Sequence, residues 1–306
     1  MIELVKNTKI DFMGMRKIAF AVSGLFLILC VVALVQIYRG NANLGIDLAG
    51  GTSLQLKFKA PIDLDKARAI LGEAGYGHAG LQWVEGENIL LVKVAQKGQE
   101  EKMVASGVVG ALTKGMPDNL PSTESVSEIG PAVGQKLRND AFFALAVSAL
   151  AIIGYLGYRF EFKFGVAAAI ATFHDIAAMT AIFYLLGREM DLLFITALLT
   201  IGGYSLTDTV VVFDRIRENL RLRKKGNFYD TINFSINEVL SRTIVTSLTV
   251  FITCLSLLFF GGVVLKDFAL ALSIGILVGT YSSIFVASPL IAIMKGEHVK
   301  PAEAKA

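Results

Sequence analysis

Six apolar runs, residues 18–37, 141–158, 164–187, 192–213, 244–265 and 268–294, constrain this chain more than any other feature of its sequence. About 20 predominantly apolar residues carry a helix across a hydrocarbon core of roughly 30 Å, and every run is long enough to do so. A segment in lipid must satisfy its backbone groups internally, so each run reads as a helix. The expected architecture is a polytopic α-helical membrane protein with six transmembrane helices. Composition agrees, at 54% hydrophobic and 18% charged, where a soluble domain carries about 25% charged residues. The first run exceeds the roughly 7 to 15 residues of a signal-peptide core and five more runs follow, so it reads as an uncleaved first helix, 18–38.

Lysine and arginine in short loops near helix ends mark the cytoplasmic side. Lys6, Lys9, Arg16 and Lys17, then Arg159 and Lys163, then Arg215, Arg217, Arg221, Arg223, Lys224, Lys225 and Arg242, then Lys295, Lys300 and Lys305 fall on one side. Only Arg188 and Lys266 occupy the short loops of the other. Both ends, 1–17 and 295–306, are therefore expected in the cytoplasm, and segment 39–140 on the outer face.

That segment reads as a folded domain. Residues 52–58 alternate like a strand, 64–74 have helical spacing, and 81–84 and 89–94 are two strands joined by turn residues 85–88. A helix over 99–114 and a strand near 122–128 complete the order βαββαβ, the order of an α+β ferredoxin-like sandwich. Its one histidine, His78, lies among glycines and reads as a turn residue. Helices 2 to 6 then occupy 141–294. Within them, Phe228, Ile232, Ile236, Val239 and Leu240 line one face of a segment 228–240, with Asp230, Asn233 and Asn237 off it, which predicts a cytoplasmic helix lying in the membrane interface. The neighbouring basic patch, Arg221 to Lys225, reads as solvated and orientation-setting, with anionic membrane lipid or a cytoplasmic partner as the lesser reading.

Charge at membrane depth is costly, so each ionisable side chain in a span is a candidate site. His174 and Asp175 in the third run and Asp208 in the fourth qualify, with Arg242 just before the fifth. Asp208 lies five residues before the end of its run, about 8 Å at 1.5 Å per residue, and Arg242 opens the next run on the same side, so an ion pair is geometrically available. Arg242, Thr246, Thr249, Thr253 and Ser256 recur at helical spacing on one face, a stripe that could hold a file of water or simply hydrogen-bond neighbouring helices. A carboxylate balanced between low-dielectric surroundings and a guanidinium can load and release a proton; a purely structural pair is the other reading. His174 and Asp175 point about 100° apart with no further ligand at i+3 or i+4, and a relay role and a packing role stay open for them. Gly275, Gly279, Ser283 and Ala287, four residues apart, form a small-residue surface for close helix packing.

Nothing points to a cofactor or metal. Cys30 and Cys254 both lie in apolar runs and read as small hydrophobes. The net charge of +3 implies no nucleic-acid partner. Gly50-Gly51-Thr52 lacks the lysine and spacing of a phosphate loop, and no nucleophile elbow is present, so the chain does not read as an enzyme.

At these residues the sequence resembles the SecF family. The likeness rests on Gly45-Ile46-Asp47-Leu48-Ala49-Gly50-Gly51, Phe173-His174-Asp175, Gly203-Tyr204-Ser205-Leu206-Thr207-Asp208-Thr209, Phe213-Asp214-Arg215-Ile216-Arg217-Glu218-Asn219, Ser241-Arg242-Thr243 with Thr246-Ser247, and Gly279-Thr280-Tyr281-Ser282-Ser283. The family usually has Asn at Thr207, Phe-Thr at Leu48-Ala49 and Thr at Val250. The resemblance implies a resistance-nodulation-division type of membrane fold, in which this chain supplies six helices as half of a pseudo-two-fold bundle and a SecD-like subunit supplies the other half. It implies a bacterial cytoplasmic (inner) membrane location beside the SecY/SecE/SecG channel, and protons whose flow moves external domains acting on a translocating polypeptide. The family's proton path falls on Asp208 and Arg242, with Thr207, Ser205, Thr246, Thr249 and Thr253 beside them. A proton-driven exporter half-subunit and a non-conducting scaffold of the translocon are the alternatives.

Overall fold

A computed structural model describes residues 8–39, 44–84, 87–95, 101–159, 161–222 and 228–295. Lys6, Arg223, Lys224, Lys225, Lys300 and Lys305, residues 85–86 of the expected turn, 99–100 of the expected helix and most of the tail 295–306 lie outside them. Within the described residues the chain forms two compact units, one of 8–39, 145–188 and 193–295, the other of 44–144 and 189–192.

Helix α1 (Arg16–Tyr38) leads into the second unit, which contains α2 (Ile46–Ala49), β1 (Gly51–Lys57), α3 (Leu64–Leu71), β2 (Gly80–Val84), β3 (Ile89–Ala95), α4 (Glu101–Gly115) and β4 (Ser122–Ile129). The four strands lie in the order β2-β3-β1-β4, antiparallel throughout, which with two helices is the expected ferredoxin-like sandwich. Alternation places Leu54 and Leu56 of β1 and Leu90 and Val92 of β3 on one face. Ala67 and Leu71 of α3 and the stripe Val104, Val108 and Leu112 of α4 bury that face. The Asp63 carboxylate caps α3 by accepting from the Asp65 amide at 2.9 Å. That helix ends at Leu71, short of residue 74, and the chain passes through a wide turn containing Gly75 at φ 89°. His78 follows in an exposed turn.

The same unit ties three stretches of chain together. The amide of Gly45 donates to the Met190 carbonyl at 2.9 Å, Leu44 bridges to Met190, and Lys93 pairs with Glu189. Gly50 adopts φ 79°, open to glycine at little cost, and a Cβ on Gly134 would come within 2.7 Å of its nitrogen. Residues 44–51, the beginning of α5 (Pro131–Arg159) and residues 189–192 therefore meet in one knot whose contacts leave no room for side chains at Gly45 or Gly134.

The membrane unit contains α6 (Phe162–Leu185), α7 (Leu192–Leu222), α8 (Phe228–Phe260), α9 (Gly262–Ser282), a π turn over Ser283–Ala287, and α10 (Ser288–Lys295). Six helical stretches are long and apolar enough to cross a membrane, the last being Val264–Met294 across the π turn. Burial ranks them: 67% of the most apolar window of α6 is buried against 11% of that of α5, so α6 is central and α5 peripheral. Gly187 ends α6 at φ 61°, with the Gly187 amide donating to Tyr184 and the Arg188 amide to Phe183, the hydrogen bonding of a Schellman motif.

Three helices depart from the apolar runs. α5 begins at Pro131 and α7 continues to Leu222, well past Phe213, because these extensions carry polar and charged residues and are invisible to a search for continuous apolarity. The fifth run, 244–265, crosses a helix break: α8 stops at Phe260 and Gly262 takes φ 72°. Segment 228–240 is no separate interfacial helix either. It is the first part of α8, and Phe228, Ile232, Ile236 and Leu240 are buried against Val212, Phe213 and Ile216 of α7 and Ile291 of α10. Its polar face is also used by protein: Asn237 exchanges two hydrogen bonds with the Ile10 backbone, each 3.0 Å, and Asn233 accepts from the Met13 amide at 3.0 Å.

Candidate functional site

Two polar clusters sit inside the membrane unit. The first surrounds Asp208, which is 8% exposed. Its carboxylate accepts from the Ser247 hydroxyl of α8 at 3.3 Å, and Ser247 in turn accepts from Thr280 of α9 at 2.8 Å. Helices α7, α8 and α9 therefore converge on this acid through hydroxyls.

Arg242 is not part of the cluster. It is exposed, and the expected ion pair with Asp208 does not form. The reason is helical phase: Ser247 faces α7, and a residue five positions earlier is rotated by about 140° at 100° per residue. Thr246, Thr249, Thr253 and Ser256 are likewise exposed, each hydroxyl bonded to a carbonyl of its own helix, at 2.8 to 3.0 Å. The stripe lies together on one face of α8, but that face is the surface of the subunit. Thr207 is exposed as well, its hydroxyl 3.3 Å from the Gly203 carbonyl.

Ser205 belongs to the second cluster. It donates to Asp175 Oδ2 at 2.5 Å, while His174 Nδ1 lies 3.2 Å from Asp175 Oδ1. Asp175 is fully buried and His174 is 3% exposed. The His174 ring lies 6.1 Å from that of Tyr281, whose hydroxyl donates to the Ala19 carbonyl of α1 at 2.8 Å. Small residues allow this convergence. A Cβ on Gly279 would lie 2.9 Å from Ser205 Cβ, one on Gly275 2.4 Å from Ile201 Cγ1, and Ser283 is fully buried in the π turn.

Ser247, Thr280 and Tyr281 stand in the motifs that carry the family likeness but have no site role in the sequence alone, although Thr243, Ser247 and Cys254 are the buried stripe of α8, one residue out of phase with the exposed one. Glu238 was missed too. It accepts from Arg215 at 2.7 and 2.6 Å and from Asn219 at 2.7 Å, so the charged residues 213–219 lock the extension of α7 onto the start of α8. Among the described residues, no cluster of His, Cys, Asp and Glu could hold a metal.

Six helices enclosing buried acids, with a ferredoxin-like domain inserted after the first, define a half-bundle of the resistance-nodulation-division type. The family model for "Protein export membrane protein SecD/SecF, C-terminal" matches residues 108–297, and that for the SecD/SecF GG motif matches 43–62. A protein translocase subunit SecF from Thermodesulfovibrio yellowstonii is 50% identical, over 96% of this chain and 97% of the relative. The protein translocase subunit SecDF of Thermus thermophilus is 37% identical over 98% of this chain and 40% of its own length. A crystal structure of Thermus SecDF, described as a translocon-associated membrane protein, superposes with a TM-score of 0.80 over 94% of this chain and 39% of that one. The chain belongs to the SecF branch of the SecD/SecF family.

Proposed function

We propose that this chain is one half of a proton-driven subunit pair of the Sec export machinery. With a SecD-like partner beside the SecY/SecE/SecG channel, it couples protons crossing a bacterial cytoplasmic membrane to the late movement of a translocating polypeptide. Both termini face the cytoplasm and the ferredoxin-like domain lies outside. The reading is carried by Asp208, a buried acid of an apolar bundle that accepts from the Ser247 hydroxyl of α8, itself bonded to Thr280 of α9, and pairs with no cation. Holding such a group costs roughly 2.5 kcal/mol or more, an expense that packing alone would remove by substitution. A proton crossing 100 mV releases about 2.3 kcal/mol, enough to shift a two-state equilibrium about fiftyfold.

The exposed stripe from Arg242 to Ser256 supports a partner. A guanidinium and four hydroxyls are poorly suited to lipid and well suited to a second half-bundle, and a SecDF relative carries both halves in one chain. In this reading Arg242 and the threonines reach protons from the partner's side of the path, and Asp208 receives them. Asp208→Asn in the reconstituted complex should leave insertion and partner binding intact and abolish the part of export that depends on the proton gradient. Export that still responds to collapse of the gradient in that variant overturns the proposal.

A further inference from the structure

We propose that His174 and Asp175 share one transferable proton and form a second carrier in the same half-bundle, joined to Asp208 through Ser205. The inference rests on the proton-driven reading above and adds to it a site with its own signature. Asp175 is fully buried, accepts from Ser205 on one oxygen and meets His174 Nδ1 on the other. His174 Nε2 is buried and has no hydrogen-bond partner.

A net charge sealed among apolar helices is expensive, whereas a neutral pair is not. With Ser205 donating to Oδ2, the pair has two neutral arrangements. In one, the proton sits on Asp175 Oδ1 and bonds to a bare Nδ1, leaving the ring hydrogen on Nε2. In the other, it has moved to Nδ1, giving an imidazolium beside an ionised carboxylate. Both place a hydrogen on Nε2, the atom without a partner, and they differ only by a shift of one proton along the 3.2 Å contact. A fixed charged pair would be different, with a neutral ring donating from Nδ1 to an ionised Asp175, Nε2 bare and a net negative charge buried; a fixed neutral pair carries the same hydrogen on Nε2, and proton flux separates it from a carrier.

The surroundings are otherwise sparse in charge. α7 presents Ser205 and, three residues on along the same face, Asp208, at the roughly 5 to 6 Å that separates such neighbours, a gap one water can bridge. The last span presents Tyr281 to His174 and the buried hydroxyl of Ser282 to Asp175. α1 meets Tyr281 through the Ala19 carbonyl and Ser23. Among the described residues no lysine or arginine forms an ion pair with Asp175. For a proton to leave, Asp175 presents it on Oδ2 and the Ser205 hydroxyl turns its hydrogen from Oδ2 toward the bridging water; the proton then bonds to Ser205 Oγ as the Ser205 hydrogen passes to that water and a water hydrogen passes to the ionised Asp208, so the pair loses the one proton that Asp208 gains and net charge is conserved.

The test uses the full complex with its SecD-like partner in lipid vesicles. Solid-state nitrogen resonances, assigned by their loss in His174→Asn, should show Nε2 of His174 carrying hydrogen throughout the pH range in which the complex conducts. A bare Nε2 overturns the proposal. Proton flux should fall about tenfold or more in Asp175→Asn and in Ser205→Ala, with Nε2 still protonated in the latter, where both acids remain. Flux unchanged in these two variants but lost in Asp208→Asn overturns the second carrier and leaves the proton-driven reading standing. Flux unchanged in all three overturns both.

Discussion

The two units invert each other. In the ferredoxin-like unit the buried residues are leucine, valine and other apolar side chains, and Thr52 is the one buried polar side chain among its described residues. The membrane unit exposes Leu25, Ile28, Leu150 and Phe259, and buries Ser23, His174, Asp175, Ser205, Asp208 and Thr209. In water, apolar burial drives folding. In lipid the surroundings are as apolar as the core, so helices associate through close packing of small residues and through hydrogen bonds. Polar burial is thus a cost in one unit and the means of assembly in the other, and the same kind of substitution should have opposite consequences in the two.

The largest effect on stability is expected where apolar burial drives folding. Leu90 is fully buried and stands opposite Trp83 in the β2-β3 ladder. Leu90→Ala should cost about 2 to 5 kcal/mol. Trp83, the single tryptophan of the chain, lies 6.3 Å from Phe58, so its emission reports unfolding of this unit in the full chain. An unchanged denaturation midpoint would break the contrast between the units.

A smaller loss should follow from adding volume to the membrane unit. Gly279→Ala places a methyl group 2.9 Å from Ser205 Cβ, and overpacking of this kind costs about 1 to 3 kcal/mol. It should also shift the Ser205 donor away from Asp175 and reduce proton flux. Gly203→Ala, one helix face away and with nothing within 4 Å of the added atom, is the control and should change neither. Equal thermal stability and flux in the two variants would show that the glycine surface is not what sets the spacing of α7 and α9.

The same inversion explains what could be read from sequence. Six spans were legible because lipid permits so few solutions, and βαββαβ because alternation and helical spacing are strong where one face is wet. Asp208, His174 and Asp175 stood out because each breaks an apolar run. What sequence did not convey was phase. Arg242, Thr246, Thr249 and Thr253 make a longer and more regular stripe than Thr243, Ser247 and Cys254, yet the shorter one faces α7 and α9. Nor did hydropathy reveal that α7 runs on to Leu222, since Asp214, Arg215 and Arg217 mask the burial of Ile216. Ser205 was placed beside Asp208 by its motif, whereas its hydroxyl serves Asp175.

The smallest effect on the isolated subunit should come from the exposed stripe, and it sharpens the comparison most. Thr249 and Thr253 bond only to their own helix carbonyls, at 2.8 and 3.0 Å, so the double variant Thr249→Val, Thr253→Val should change the stability of the subunit alone by no more than about 0.5 kcal/mol. Valine keeps the shape of threonine and removes the hydroxyl, so a face turned to lipid gains by the exchange. A face turned to a partner half-bundle, with protons passing along it, loses hydrogen-bonding positions in the path. Proton flux through the complex should then fall while melting of the isolated subunit stays put. If flux holds as well, the stripe faces lipid, and the inversion of polarity in the membrane unit ends at its buried clusters instead of extending across the subunit surface.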